Sequence, residues 1–122
     1  MLERVSGTTT TDESGSPVWL KRAVELLHAA YREPLTLEEV ARRVQIHPIH
    51  LSRVFRKRFR STLAEYQNRL RVQFVCRALQ HGWGDLASLA TDAGFADQSH
   101  MGRVFRMLTD QTPGQFRRFI HS

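Results

Sequence analysis

Two matched sets of arginine, histidine and small polar residues are the part of this 122-residue sequence best suited to chemistry. At an offset of 50, His50, Arg53, Val54, Phe55, Arg56 and Thr62 recur as His100, Arg103, Val104, Phe105, Arg106 and Thr112. A guanidinium group binds guanine or phosphate through paired hydrogen bonds, and a side-chain amide binds adenine. The repeat therefore predicts two similar elements that recognise nucleic acid.

Each copy separates apolar from polar residues when it is drawn as a helix of about 3.6 residues per turn. The apolar stripes are Leu51, Val54 and Phe55 in the first copy and Met101, Val104, Phe105 and Leu108 in the second. The opposite faces carry Ile49, Ser52, Arg53 and Arg56 in the first copy and Ser99, Gly102, Arg103 and Arg106 in the second, with Gln98 near the helix start. A single basic helix fits a solvated surface equally well, but duplication favours two helices that enter major grooves of double-stranded DNA.

The segments before the repeated helices predict that each unit is a short helix, a turn and a longer basic helix. Upstream of the turn the offset falls to 49, which aligns Ala41 with Ala90 and Val44 with Ala93, so the second turn contains one extra residue. Helix starts are marked by capping signals at Thr36 with Glu39, Thr62 with Glu65, Asp85, and Thr112 with Pro113.

The pattern as a whole predicts an all-α fold of about seven helices, with two helix-turn-helix subdomains joined by a long connecting helix. The expected divisions are a disordered tail or linker remnant at 1–16, a first subdomain at 17–62, a connecting helix at 63–81 and a second subdomain at 82–122. The first helix should bury Trp19, Ala23, Leu26, Leu27 and Ala30, and the connecting helix Leu63, Tyr66, Leu70, Phe74 and Ala78.

Composition supports a polyanionic partner. The chain has 18 Lys and Arg residues and 12 Asp and Glu residues, which gives a net charge of +6. No apolar run approaches the roughly 20 residues of a membrane-spanning helix, and no signal peptide is evident. We therefore expect a cytoplasmic protein with no membrane partner. The single Cys76 excludes an intrachain disulfide and predicts a buried structural thiol, and we expect neither a metal nor a cofactor.

Two stretches of the chain resemble the AraC/XylS family of bacterial transcription regulators. GFADQSHMGRVFRMLTDQTPGQFRR, at 94–118, is similar to the signature segment of that family's second unit. A weaker match, LTLEEVARRVQIHPIHLSRVFRKRF followed by TLAEYQNRLR, covers the first unit and the start of the connecting helix. The resemblance extends from about 18 to about 119 and implies two recognition helices on one side of the molecule, each entering a separate major-groove segment.

Carried over by position, the resemblance implies base-reading roles for Ile49, Ser52, Arg53, Gln98, Ser99, Gly102 and Arg103. Phosphate contacts are expected at Arg56, Arg106, Arg117 and Arg118, although for any one of these arginines solvation is an equal alternative. The family resemblance also implies contact with RNA polymerase. The chain is expected to act as a monomer on an asymmetric site, whether alone or fused to an N-terminal effector or dimerisation domain.

The chain departs from the family pattern just past each recognition helix, where Arg60 and Asp110 stand in place of a common glycine. A left-handed backbone is usual at this position and costs a non-glycine residue about 1 kcal/mol. A second departure is His100-Met101, where Tyr-Phe is common in the family. Methionine fills the same apolar slot.

Three alternatives remain beside specific DNA recognition. A non-specific architectural DNA-binding protein would use the same charge without reading bases. An enzyme is disfavoured, because the six histidines form no HExxH pattern and the GWGD segment around Trp83 lacks the lysine of a phosphate-binding loop, so no catalytic residue is expected. A protein-interaction role in addition to DNA binding stays open.

Overall fold

The computed structural model describes residues 16–121, which form seven α-helices and no β-strand. The helices are α1 (Val18–Ala30), α2 (Leu37–Val44), α3 (Pro48–Phe59), α4 (Leu63–Gln80), α5 (Leu86–Ala93), α6 (Gln98–Thr109) and α7 (Pro113–Ile120). The prediction of an all-α fold with seven helices is thus confirmed. The predicted disordered tail lies outside the described residues except for Ser16, whose hydroxyl accepts a hydrogen bond from Nε of Arg58 at 3.1 Å.

The chain divides into two compact units, and the division falls inside α4. The first unit combines Met1–Ala30 with Leu35–Ala64, and the second combines Tyr31–Pro34 with Glu65–Ser122. The loop between α1 and α2 therefore belongs to the second unit, although both helices that flank it belong to the first. The sequence contains no signal for this assignment.

The first unit has a core built from α1, α2 and α3. Its fully buried side chains include Leu20, Leu27, Val40, Leu51 and Phe55. Of the inward residues predicted for α1, Trp19, Ala23 and Leu27 are buried, whereas Leu26 and Ala30 are half-buried and Leu20 takes a core position instead. Burial of these side chains fixes α2 and α3 against α1, at about 1.5–3 kcal/mol for each large side chain.

The second unit has a core cluster that runs from Val72 and Val75 in α4 through α5 to Met101 and Phe105 in α6. The predicted inward face of α4 is wrong at two positions, because Tyr66 and Phe74 are only half-buried. Three residues that were not predicted to face inward are buried: Val72, Val75 and Leu79. The buried residues lie on more than one side of α4 because other elements of the unit pack around it.

The predicted buried stripe of α6 is wrong at one position, because Leu108 is 38% exposed. Met101, Val104 and Phe105 are buried as predicted. Leu108 lies in the last turn of α6 beside the exposed Met107, beyond the core cluster that covers the earlier turns. Helical periodicity places a side chain on a face, but burial also requires a neighbouring element opposite that face.

Two buried polar side chains of α4 hold the loop between α1 and α2. Gln67 donates from Nε2 to the carbonyl oxygens of Tyr31 and Glu33 at 3.2 and 3.1 Å, and Arg71 donates to the same two oxygens at 2.8 and 3.0 Å. Burial lowers the pKa of the Arg71 guanidinium. The four hydrogen bonds satisfy loop carbonyls that would otherwise be costly to bury.

Gly94 permits a close backbone approach next to this loop. A Cβ atom at Gly94 would lie 2.6 Å from the carbonyl oxygen of Arg32, and the φ of Gly94 is +100°. Arg32 in turn donates from Nε to the carbonyl oxygen of Asp92 at 2.6 Å. The glycine that ends α5 is therefore required both for its left-handed backbone and for space.

Candidate nucleic-acid interface

The turn of the first unit sets the start of α3. Gln45 adopts a left-handed conformation with φ 61° and ends α2, and His47 caps α3 through Nδ1, which accepts a hydrogen bond from the backbone N–H of Ile49 at 3.2 Å. Pro48 occupies the first helical turn, where its missing N–H has no helical partner to lose. The histidine cap was not predicted, because histidine is not among the usual capping residues.

The turn of the second unit is one residue longer, as the change of offset predicts. Three residues, 45–47, separate α2 from α3, and four residues, 94–97, separate α5 from α6. Gly94 ends α5, and the Asp97 carboxylate caps α6 by accepting the backbone N–H of His100 at 2.7 Å. Asp97 directly precedes the helix, so its capping role could have been predicted from the sequence.

Three of the four predicted capping signals are confirmed, one of them with a correction. Thr36 Oγ1 accepts the backbone N–H of Glu39 at 3.1 Å, but the Glu39 carboxylate binds Arg42 and Arg43 instead of reaching back to the cap. These two guanidinium groups lower the pKa of Glu39. Asp85 caps α5, and Thr112 caps α7 in a reciprocal capping box with Gln115. The Thr62 and Glu65 box stays a prediction.

The helices α3 and α6 both end at a left-handed residue that is not glycine. Arg60 after α3 has φ 58°, and Asp110 after α6 has φ 62°. Each donates its backbone N–H to the carbonyl four residues earlier, at 2.8 Å in both cases. The left-handed conformation expected from the family pattern is therefore kept in both units, at a cost of about 1 kcal/mol per residue.

The exposed face of α3 borders a shallow groove in the first unit. Ile49 is 62% exposed, and Ser52, Arg53 and Arg56 are exposed beside it. The groove has a volume of about 400 Å³ and is lined by Leu37, Glu38, Pro48, Ile49, Ser52, Arg53 and Arg56. An apolar side chain, a small hydroxyl and two guanidinium groups therefore share one concave surface.

The exposed face of α6 borders a corresponding groove in the second unit. Gln98, Ser99, Arg103 and Arg106 are exposed, and Gly102 is half-exposed. The groove has a volume of about 280 Å³ and is lined by Leu86, Gln98, Met101, Gly102, Thr112, Pro113 and Gly114. Apart from its chain neighbours and the backbone of its own helix, no atom of the described residues lies within 4 Å of a Cβ built on Gly102. Packing within the protein thus gives no reason for glycine at this position.

The two grooves share some equivalent positions but differ in their charged residues. Leu37 and Leu86 are equivalent at the offset of 49, and Ser52 and Gly102 are equivalent at the offset of 50. The first groove also contains the carboxylate of Glu38, and the equivalent residue of the second unit is Ala87. The two faces therefore present different hydrogen-bonding groups on the same scaffold.

The arginines of these faces have no carboxylate partner in the part of the chain that the structure describes. Within residues 16–121, no ion pair involves Arg53, Arg56, Arg103 or Arg106, whereas Arg42 and Arg43 both pair with Glu39. Arg118 is exposed. Arg117 is half-buried and donates to the carbonyl oxygen of Gly84 at 2.5 Å, so it links α7 to the loop before α5.

The repeated histidines each pack against an aromatic ring, one on α1 and the other in the turn before α6. The ring centroid of His50 lies 5.5 Å from that of Trp19, and the centroid of His100 lies 5.3 Å from that of Phe95. His100 Nδ1 also accepts the backbone N–H of Ala96 at 3.3 Å. The described part of the chain contains no His, Cys, Asp or Glu group arranged to hold a metal.

Cys76 is half-buried against the core of the second unit rather than fully buried as predicted. Burial raises the pKa of its thiol, which leaves less of the reactive thiolate at neutral pH. The residue fits a structural role.

Among residues 16–121, no helix is both long enough and apolar enough to cross a membrane.

Two short helix–turn–longer helix units with exposed basic second helices define a tandem helix-turn-helix module. Residues 40–118 match a family described as a helix-turn-helix domain. The chain belongs to this AraC/XylS-type family of DNA-binding domains of transcription regulators. It is 30% identical over 102 residues to the regulatory protein PocR of Salmonella typhimurium, a match that covers 84% of this chain and 34% of PocR.

Other relatives show how much of a regulator the chain spans. It is 29% identical over 99 residues to the transcriptional regulator GlxA of Rhizobium meliloti, covering 81% of this chain and 31% of GlxA. It is 28% identical over 98 residues to the regulatory protein SoxS of Salmonella typhimurium, covering 80% of this chain and 92% of SoxS. The chain thus spans about a third of PocR and GlxA but nearly all of SoxS.

Solved structures share the fold. An AraC-type transcriptional regulator from Chromobacterium violaceum aligns with a TM-score of 0.79 at 25% identity, over 88% of this chain and 96% of the other. The DNA-binding domain of AdpA, in complex with a target DNA, aligns with a TM-score of 0.77 at 21% identity, over 82% of this chain and 90% of the other.

Proposed function

We propose that the chain binds double-stranded DNA sequence-specifically to regulate transcription, as a monomer that places α3 and α6 in successive major-groove segments of an asymmetric site. The observation that carries the proposal is the pair of exposed faces, which occupy equivalent positions on a duplicated scaffold but differ in their side chains. One chain would then read two different base sequences.

The base-reading roles follow from the chemistry of each exposed group. Arg53 and Arg103 have the fork of donors that binds O6 and N7 of guanine, and the amide of Gln98 matches N6 and N7 of adenine. Ile49 offers an apolar contact for a thymine methyl group. Among the small residues, Ser52 and Gly102 allow a base edge or sugar to approach the helix, and Ser99 adds a hydroxyl that binds either kind of base edge.

The phosphate contacts are assigned to arginines that flank the base-reading groups. Arg56, Arg106 and Arg118 are exposed and without a carboxylate partner among the described residues. Such groups fix the register of a protein on DNA without reading its sequence. One guanidinium nitrogen of Arg117 donates to the carbonyl oxygen of Gly84, so only its other N–H groups can reach a phosphate. Arg117 should therefore contribute more to the stability of the fold than to DNA affinity.

The rival function is non-specific, architectural DNA binding. Selection of sites from random DNA, followed by competition between a selected site and random duplex, separates the two. We expect a selected site to bind at least about 10³-fold more tightly than random duplex. A ratio under about tenfold would favour the architectural alternative. Native mass spectrometry of the selected complex should show one chain per site.

The remaining parts of the proposal concern the protein's wider role. We assign no catalytic residue, metal or cofactor to the chain, and we propose the cytoplasm as its location and RNA polymerase as a protein partner. In a longer protein, the module would follow an N-terminal effector or dimerisation domain, as the coverage of PocR and GlxA allows. Co-purification with RNA polymerase on DNA containing a selected site tests the partner.

A further inference from the structure

The C-terminal end of α4 forms a groove that has no part in the proposed function. It has a volume of about 300 Å³ and is lined by Phe74, Arg77, Ala78, His81 and Trp83. None of these residues lies on α3 or α6. Trp83 belongs to the GWGD segment, for which DNA recognition provides no role.

A helix cap explains where the backbone of Trp83 lies. The backbone N–H of Trp83 donates to the carbonyl oxygen of Ala78, and that of Gly82 donates to Leu79, both at 3.1 Å. Gly82 has φ +87°. This is a Schellman motif, in which an apolar contact between Trp83 and Ala78 is expected. A leucine would make that contact equally well, so the cap does not account for an indole ring that is 49% exposed.

The aromatic wall of the groove is held in place by its neighbours. The ring centroids of Phe74 and Trp83 lie 6.2 Å apart at an interplanar angle of 81°, and those of Tyr31 and Phe74 lie 6.4 Å apart. The guanidinium of Arg32 lies 4.4 Å from the Phe74 centroid. These contacts restrain Phe74, so a ligand ring would meet a preformed apolar surface.

The polar rim of the groove is cationic. Arg77 is exposed, its one hydrogen bond from Nη2 goes to the hydroxyl of Tyr31 at 3.4 Å, and no carboxylate of the described residues pairs with it. His81 Nδ1 lies 2.7 Å from the carbonyl oxygen of Arg77. Because a carbonyl only accepts, Nδ1 carries the hydrogen and Nε2 is left available. None of the described residues that line the groove is acidic.

We propose that this groove binds a small aromatic carboxylate, with its ring against Phe74 and Trp83 and its carboxylate on Arg77. The volume lies at the lower end of the range for small-molecule sites, about 300–1,000 Å³, which suits one or two fused rings. A guanidinium binds a carboxylate through paired, charge-assisted hydrogen bonds. The apolar wall excludes inorganic anions as good ligands, and the absence of a lining carboxylate disfavours aromatic cations.

Titration of the ¹⁵N-labelled protein with 2-naphthoate, followed by amide and indole N–H chemical shifts, tests the proposal. We expect saturable shifts at the Trp83 indole and at Gly82 and Gly84, with a Kd of about 1 mM or below. The neutral analogue 2-naphthamide keeps the rings and removes the charge, so it should bind about tenfold more weakly. Equal affinity for the two compounds would overturn the role of Arg77.

Variants separate the site from non-specific binding. Arg77→Gln should weaken naphthoate binding about tenfold. The separate variant Trp83→Leu, which keeps the cap contact with Ala78, should weaken binding more than Arg77→Gln does. Arg69→Gln is the matched control, because Arg69 is an exposed arginine of the same helix outside this groove. An unfolded Trp83→Leu variant is recognised from its spectrum, and Arg77→Gln then decides. No saturation, or shifts centred on the groove beside Met107 and Leu108, would refute the site.

Discussion

The Nε atom of Arg71 donates a 2.8 Å hydrogen bond to the carbonyl oxygen of Tyr31, 40 positions earlier in the chain. Gln67 donates to the same oxygen at 3.2 Å, and both side chains also bind the carbonyl oxygen of Glu33. The two acceptors are thus satisfied twice, from adjacent turns of one helix. This arrangement ties the loop between α1 and α2 to the second unit.

Removal of these donors should destabilise the protein non-additively. We expect Arg71→Met or Gln67→Leu alone to cost about 1–3 kcal/mol in the free energy of unfolding, because each leaves the carbonyls one remaining donor. The double variant leaves both carbonyls without a donor and should cost more than the sum. Urea denaturation measures this, with Arg69→Met as the exposed control. Strict additivity would show that the two side chains act independently.

Gly102→Ala should separate folding from DNA binding. Alanine stabilises a helix by about 0.5–1 kcal/mol relative to glycine, and within residues 16–121 no neighbouring side chain or loop obstructs the added methyl group. The variant should therefore unfold at a higher urea concentration yet bind its selected DNA site more weakly. Gln73→Ala, on the exposed surface of α4, is the control that should leave DNA binding unchanged. Unchanged affinity of Gly102→Ala would remove close approach as the reason for this glycine.

The two recognition helices should read separate parts of the site. Arg53→Ala and Arg103→Ala should each cost about 1–3 kcal/mol in binding and relax base preference in only one segment, a different one for each variant. The two segments should lie about one helical turn apart, roughly 10 to 10.5 base pairs. Base-by-base binding profiles provide the measurement. Loss of preference in both segments from one substitution, or a palindromic site that binds two chains, would contradict the monomer proposal.

Salt dependence should identify the phosphate contacts. If about six to ten phosphates are neutralised, affinity falls by roughly 10³ to 10⁵ between about 50 and about 200 mM salt. Arg56→Ala or Arg106→Ala should reduce the slope of log affinity against log salt by about one. Arg117→Ala should lower stability with a smaller change in slope, because its guanidinium holds Gly84. A reduction of a full unit by Arg117→Ala would return that residue to the phosphate contacts.

The sequence alone determined the features that depend on near neighbours. The caps at Asp85 and Thr112 are encoded by residues within a few positions of each other, and the extra residue in the second turn follows from the change in the repeat's offset along the sequence. The amphipathic pattern of α3 predicted its exposed face because a helix has one period throughout. The left-handed residues after α3 and α6 followed from the family pattern, although Arg60 and Asp110 lack glycine's freedom.

Tertiary structure decided the features that depend on distant contacts. Periodicity could not show that Arg71 would be buried, because its acceptors lie 38 and 40 positions away and are backbone atoms without a sequence signal. In the same way, Leu108 matches the apolar stripe of α6 but is 38% exposed and lies outside the core cluster of the second unit. The sequence pattern places Arg117 on the surface, and only the structure shows that its guanidinium donates to the carbonyl oxygen of Gly84. The local sequence pattern determines on which face of its helix a side chain lies. Only the packing of the helices determines which residues that side chain contacts.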